Sequence, residues 1–275
     1  MYTHNQPHIS LTIAGSDSGG GAGIQADIKA MSATGSYACS VITALTAQNT
    51  QGVTDIHPVP QAFVKAQLES IFCDMKVDAV KIGMLSDADT IYMIAQMLKK
   101  HQPKVIILDP VMVATSGDVL LESKAISSLV NHLIPLADLI TPNLYEAQVL
   151  LGRDLNAFPK SNAELKNTAQ GLLALGSQGV LLKGGHMDAQ DSTDIWVTEN
   201  QVDYFSKKRV STNNTHGTGC TLSSAITSYL AQGFSMSESI RKAKEYISQA
   251  LVAAKDYQLG QGSGPVDHFF MLNQA

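Results

Sequence analysis

Cysteine is scarce in this chain of 275 residues, which carries Cys39, Cys73 and Cys220 and no others. The three are odd in number and far apart, and no CxxC pair occurs, so a disulfide framework is excluded. The eight histidines are scattered, and none pairs with a cysteine at the spacing of a zinc site. This usage predicts a protein of the reducing cytoplasm. Long apolar runs are missing too. No stretch approaches the roughly 20 residues that cross a bilayer, and the opening MYTHNQPHIS lacks the basic-then-apolar order of a signal peptide, so no membrane association is expected. Positive charge is not in excess: 19 Lys and Arg face 24 Asp and Glu, a net charge of -5, which argues against a nucleic-acid partner. What the chain does have is 44% hydrophobic against 16% charged residues, enough to bury a large core. No repeat, low-complexity stretch or Pro/Ser-rich linker divides it, so residues 1–275 are read as one domain.

Short apolar runs alternate with longer amphipathic ones. Residues 8–14, 38–47, 78–83, 104–109, 138–141 and 179–184 are apolar almost throughout, as strands covered on both faces should be. Helical patterns fall at 23–34, 60–74, 88–100, 122–132, 143–151 and 161–176, with Pro60, Glu122 and Asn143 as suitable openers. A hairpin follows, 194–199 with 202–206, turning at Asn200-Gln201. Two helices, 218–232 and 235–256, close the chain on either side of Gly233. The alternation predicts an α/β fold with a central, mostly parallel sheet and helices on both faces.

Two glycine-rich turns carry the chemistry. The first, GSDSGGGAGIQAD at 15–27, follows the first strand, and its glycines let backbone approach a ligand. Gly21-x-Gly23-x-x-Ala26 imitates a dinucleotide fingerprint, but SDSGG separates it from the strand end and no acid stands about 20 residues on, so an NAD-dependent oxidoreductase is set aside. Asp27, on the first turn of the next helix, is either a ligand contact or a partner for the helix dipole.

The second turn, NTHGTGCTLSSAI at 214–226, is not a Walker A loop, since no GK[ST] occurs in the chain. Gly217, Thr218 and Gly219 lead a loop into a helix whose first N–H groups and dipole suit an anion, including a phosphoryl group in transfer. Cys220 falls in the first helical turn, where the dipole predicts a lowered thiol pKa and a thiolate able to take a proton from a hydroxyl. The alternative is a small buried residue packed on the sheet. His216 reads as a loop or capping residue.

The two turns with their strand contexts resemble the ribokinase-like superfamily, and within it the hydroxymethylpyrimidine/phosphomethylpyrimidine kinases of thiamine biosynthesis. Eight motifs carry the resemblance in order across nearly the whole chain: TIAGSD, SGGGAGIQADIKA, VITALTAQNT, KIGML, LDPVM, TPNLYEA, LLKGGH and NTHGTGCTLSSAI. Most sugar kinases of the superfamily have Asp where this chain has Cys220, and the pyrimidine branch shares the cysteine. The resemblance implies a ribokinase-like fold and ATP-dependent phosphorylation of 4-amino-5-hydroxymethyl-2-methylpyrimidine, then of its monophosphate. It implies Cys220 as base within Gly217–Thr218–Gly219, and a pyrimidine site of Gln48, Thr46, Ala22, Gly15, Met84 and Asp27. Gln48 suits the role, because an amide offers a donor and an acceptor to an aminopyrimidine. Lys183, Asn143, Glu146 and Thr215 fall on the ATP side, and Asp109 with Glu146 near Mg²⁺, the latter through water. A hard cation that keeps its waters needs no dense carboxylate cage. A homodimer is also implied.

The chain departs from the family in the first loop, where Ser18 replaces a common Pro and Gly19 a Ser; this predicts a more mobile loop. A pyridoxal/pyridoxine kinase of the same fold is the nearest rival. A non-catalytic ligand sensor is the rival from another class, and the joint presence of Lys183, Glu146, the GTG turn and Cys220 argues against it.

Overall fold

The computed structural model describes residues 6–112, 123–155, 158–184 and 190–273. Its main sheet begins with β1 (Ile9–Ala14) and β2 (Tyr37–Ile42). It continues through β5 (Ala79–Ile82), β6 (Ile106–Leu108), β7 (Leu139–Ile140) and β8 (Val180–Leu182), and ends with β9 (Asp191–Val197) and β10 (Val202–Lys208). The order across the sheet is β10-β9-β8-β7-β6-β5-β1-β2. Every pair from β2 to β8 is parallel, and β9 and β10 add an antiparallel edge.

Alternation along the strands distributes the helices. Leu11, Ile13, Val80, Ile82, Ile106 and Leu108 face one core. There α2 (Gln61–Phe72), α3 (Ala88–His101), α4 (Ser123–Ser128), α5 (Leu144–Leu151) and α6 (Asn162–Leu173) pack. Ile107, Leu139, Leu181 and Trp196 face the other, covered by α1 (Gly23–Ala33), α7 (Thr218–Ala231) and α8 (Met236–Ala254). The helix starts are chemically marked: Asp87, Asn143, Ser161 and Ser235 each accept from a backbone N–H of the first turn.

The sheet is laid down outward from β1, with β2 on one side and β5 to β8 on the other, so the loops after β1 and β5 part at their carboxyl ends. Such a switch point opens a crevice for a ligand, and both glycine turns lie there.

Several predicted elements shift. The run at 38–47 is two strands, because the chain bends at Thr43, where Thr43 N bonds Ala14 O and Thr43 Oγ1 bonds Met84 O. Beyond the bend β3 (Ala44–Asn49) leaves the main sheet and, among the described residues, pairs only with β4 (Gly52–Pro58), a strand the sequence pattern hides. This ribbon has a bulge between Ala47 and Gln48. The late hairpin turns at Glu199-Asn200, one residue earlier than predicted, since Thr198 N bonds Gln201 O. The expected opener Glu122 lies outside the described residues, and α4 runs on as a π-helical turn over Leu129–Leu133.

Candidate active site

A cavity of about 720 Å³ opens above the carboxyl ends of β1, β5, β6, β7 and β8. Gly15, Ala22, Thr46, Gln48 and Met84 line one part, and Asp109, Asn143, Glu146, Lys183, Thr215 and the Gly217–Cys220 turn line another. The fold thus brings together all the predicted site residues except Asp27.

Asp17, overlooked in the sequence, builds the first turn. Its carboxylate accepts from the backbone N–H groups of Gly19 (2.8 Å), Gly21 (3.0 Å) and Ala22 (2.8 Å). His216 Nε2 reaches it from the second turn at 2.8 Å. Burial works to raise the Asp17 pKa, but the His216 bond and the N–H groups outweigh it and hold the carboxyl below its usual range. The two turns also pack backbone on backbone: Gly217 has φ +76°, and a Cβ there would sit 1.8 Å from Gly21 O. Only glycine fits that contact.

The predicted mobility of this loop is not what the hydrogen bonds describe. Ser18 Oγ donates to Gln48 O (2.6 Å) and accepts from Gln48 N (2.8 Å), tying the loop to β3 at the bulge. A proline in that place could do neither. The tie also holds Gln48 by its own backbone at the cavity wall. Met84 is both lining and packing, 9% exposed and against the Cα side of Gly15.

Cys220 stands in the first turn of α7, as predicted, with the opposite acidity. Desolvation pushes its thiol up to about 11; Lys81 pulls it down, while the carboxylates of Asp27 and Asp109 push it further up. A dipole at a helix end is a small fixed charge, and it loses here to burial and two neighbouring anions. The remaining sides of α7 are locked in place, since Thr221, Ser223, Ser224, Thr227 and Ser228 are all fully buried.

Asp27, expected at the ligand, lies beneath the site instead. It is 0% exposed and does not line the cavity. Its carboxylate takes Lys81 Nζ on both oxygens (2.9 and 2.8 Å), Thr12 Oγ1 (2.6 Å) and Ser224 Oγ (2.7 Å). The pair pins β1, α1, β5 and α7 together under the site. Lys81, also 0% exposed, was overlooked; burial alone would discharge it, but Asp27, with Cys220 and Asp109, keeps its pKa above the ordinary lysine value.

On the far side Lys183 Nζ bonds Asp109 Oδ1 at 2.9 Å, and Thr141 Oγ1 (2.9 Å) and Ser223 Oγ (3.3 Å) donate to the same carboxylate. Asp109 stays ionised, with Lys183 and Lys81 overcoming its burial. Asn143 and Glu146 form a reciprocal capping box at the start of α5: Asn143 N donates to Glu146 Oε2 (2.7 Å) and Glu146 N to Asn143 Oδ1 (2.8 Å). Burial raises the Glu146 carboxyl to about 7, with Lys183 opposing and Asp109 reinforcing the rise. Among the described residues no group of three His, Cys, Asp or Glu could hold a metal unaided. Asp109 and Glu146 are hard oxygen donors beside a lysine, a set that fits a hydrated Mg²⁺ shared with substrate phosphates. Thr215 is exposed at the rim. Lys207, Lys208 and Arg209 of the β10 end also line the cavity; nothing in the local sequence distinguishes them from a solvated strand end.

Residues 17–267 match the family described as phosphomethylpyrimidine kinase. The chain is similar to the hydroxymethylpyrimidine/phosphomethylpyrimidine kinase of Rhizobium meliloti, 48% identical over 261 residues, covering 95% of this chain and 97% of the relative. Its structure is similar to that of the phosphomethylpyrimidine kinase of Clostridium difficile, with a TM-score of 0.78 at 44% identity, over 88% of this chain and 99% of the other. It is also similar to an ADP complex of Bacillus subtilis pyridoxal kinase, with a TM-score of 0.89 at 35% identity, over 98% of this chain and 100% of the other. Among the described residues no helix is long and apolar enough to cross a membrane.

Proposed function

The chain belongs to the phosphomethylpyrimidine kinase family, and from that premise we propose how its cavity divides the work of two successive phosphoryl transfers. It is a kinase of thiamine biosynthesis that phosphorylates hydroxymethylpyrimidine and then the monophosphate, using ATP. The observation that carries the reading is the meeting of the amide of Gln48, the turn ending in Cys220, and Lys183 with Asp109 and Glu146 around one cavity. Gln48 reads the aminopyrimidine edge, with Gly15, Ala22, Thr46 and Met84 around the ring. Lys183 and the N–H groups at the start of α7, of which that of Thr218 also bonds Thr215 O at 3.3 Å, receive the phosphates and the charge that grows on them in the transition state. Asn143 acts by holding Glu146, and Thr215 borders the nucleotide. Asp109 and Glu146 would hold Mg²⁺, which when bound neutralises phosphate charge.

In the first transfer the hydroxymethyl oxygen attacks the γ-phosphorus of ATP, the bond to the bridging oxygen of ADP breaks, and the hydroxyl proton passes to the Cys220 thiolate. The thiolate is the minority form at neutral pH, so positioning and charge stabilisation supply most of the rate. In the second transfer the acceptor is an already ionised phosphate oxygen and gives up no proton. Lys81 supports the first transfer alone, as the buried cation that favours a thiolate at Cys220.

The fold likeness to a pyridoxal kinase favours a second, weaker activity on pyridoxal. The test offers the chain Mg-ATP with hydroxymethylpyrimidine, its monophosphate and pyridoxal in parallel, following products by mass. Mono- and diphosphate from the pyrimidines with little pyridoxal phosphate are expected. Product from pyridoxal alone would overturn the reading.

A further inference from the structure

Hydrogen-bond accounting around Gln48 fixes more than its presence. His216 Nε2 lies 2.8 Å from Asp17 Oδ2 and 3.5 Å from Gln48 Nε2. An ionised carboxylate cannot donate, so Nε2 carries the proton and gives it to Asp17. A protonated ring nitrogen has nothing to offer an amide NH₂. On the other flank Thr46 Oγ1 lies 2.8 Å from Ser16 O and 3.2 Å from Gln48 Oε1. The threonine has one proton and a carbonyl can only accept it, so Oγ1 has no proton left for Oε1. Two independent contacts therefore set like against like. The ends of a carboxamide have the same shape, and hydrogen bonding decides which is which. Turned by 180°, the amide relieves both: Oε1 faces the positive end of the Nε2–H that His216 gives to Asp17, in place of a second N–H, and Nε2 donates to Thr46 Oγ1.

We propose that His216, held by Asp17, is a positioning residue that sets the direction of the Gln48 amide and through it the direction in which the pyrimidine ring lies. This rests on the reading of Gln48 given above. With Oε1 on the His216 side, the 4-amino group of the substrate donates there and ring N3 accepts from Nε2. The C5 hydroxymethyl is the neighbour of the amino group, so it falls on the side of His216, the residue that leads into the Gly217–Cys220 turn. The C2 methyl falls on the Thr46 side. The opposite amide direction would invert the ring and carry the hydroxymethyl away from that turn. Asp17 thus links the first glycine turn to substrate orientation without touching the substrate.

The test is a cycle between protein and ligand. Wild type, His216→Ala, Gln48→Ala and the double variant are given hydroxymethylpyrimidine and the analogue lacking its 4-amino group, with Kd by calorimetry and KM and kcat for the first transfer. In His216→Ala the Kd and KM for the aminopyrimidine rise about ten-fold, the scale of one well-placed hydrogen bond. The desamino analogue changes less than about two-fold, and His216→Ala adds nothing in the Gln48→Ala background. His216→Gln, which restores an N–H donor toward Asp17, recovers most of the preference for the amino group and serves where the alanine variant is unstable. An equal loss on both ligands, or a loss that persists without Gln48, would show that His216 merely buttresses the turn and would overturn the proposal. A chain that binds the pyrimidine without phosphorylating it strikes the parent reading alone, because the Kd cycle still decides this one. Absence of binding overturns both.

Discussion

Replacing Asp27 by Asn separates two meanings of a carboxylate that the sequence leaves undivided. Asp27 and Lys81 are each 0% exposed, and Asp27 takes two contacts from the ammonium and one each from Thr12 and Ser224. The Asn side chain removes the charge and puts an NH₂ where one acceptor oxygen stood, so Lys81 is left as a buried cation without its ion-pair partner and with only the weaker attraction of Asp109. Breaking one side of a buried ion pair costs about 3–5 kcal/mol. For a chain of this size that lowers Tm by roughly 10 °C. Thermal unfolding by circular dichroism reads this directly, and KM for hydroxymethylpyrimidine at a temperature where the variant is folded reads the alternative. A structural pair predicts the fall in Tm with KM within about three-fold of wild type. The double variant Asp27→Leu with Lys81→Met should regain most of the stability, since a neutral apolar pair of similar volume often matches a buried ion pair. An unchanged Tm with a large rise in KM would refute the reasoning and return Asp27 to the ligand. A double variant less stable than Asp27→Asn would refute the ion-pair account of the loss.

Cys220→Ala should slow the first transfer about 10²–10³-fold, the scale of a lost general base, and the second less than ten-fold; single-turnover assays on the two acceptors separate them. In wild type the first transfer should rise with pH from 7 toward 11 as the thiolate forms, while the second stays flat over that range. Gly217→Ala should cost about 3 kcal/mol or more by urea unfolding, because a Cβ meets Gly21 O at 1.8 Å. Gly152→Ala, also left-handed but with nothing within 4 Å, should cost only about 1 kcal/mol; equal costs would mean that the close approach of the turns is unimportant. His268 Nε2 lies 2.9 Å from Thr221 Oγ1 in α7, and burial lowers its pKa to about 4. Its unfolded value is near 6.5, so stability is full above pH 6.5 and falls by about 3 kcal/mol as pH drops to 4. His268→Gln should flatten that part of the Tm–pH curve, and an unchanged slope would exclude His268 as its source.

The parallel strands were legible because they are buried on both faces and therefore apolar throughout, and the helices because acids, Asn, Ser and Pro mark their starts. β4 was not, since a ribbon standing off the main sheet has no buried face to impose a pattern on Gly52–Pro58. The site was legible where its residues are consecutive, in the two glycine turns and the NxxE box. It was illegible where residues far apart meet. Lys81 and Asp27 are 54 positions apart, and His216 and Asp17 are 199 apart; each pair is made by strand order alone. The acidity of Cys220 was misjudged for the same reason: its helix position is local and visible, whereas the burial that opposes ionisation, and the carboxylates that add to it from α1 and the end of β6, come from tertiary structure.

The bend at Thr43 has a consequence for how such a molecule can change its substrates. In the proposed reading Gln48 and Thr46 meet the ring from residues 44–58, a ribbon whose strands pair only with each other among the described residues, while phosphoryl chemistry rests on the eight-stranded sheet and on α7. On that reading, substitutions in the ribbon should alter what is recognised more than what is done to it. Acceptor choice would then rest in large part on a detachable hairpin, and a descendant could shift toward a new ring by rebuilding that hairpin first, on an unchanged engine.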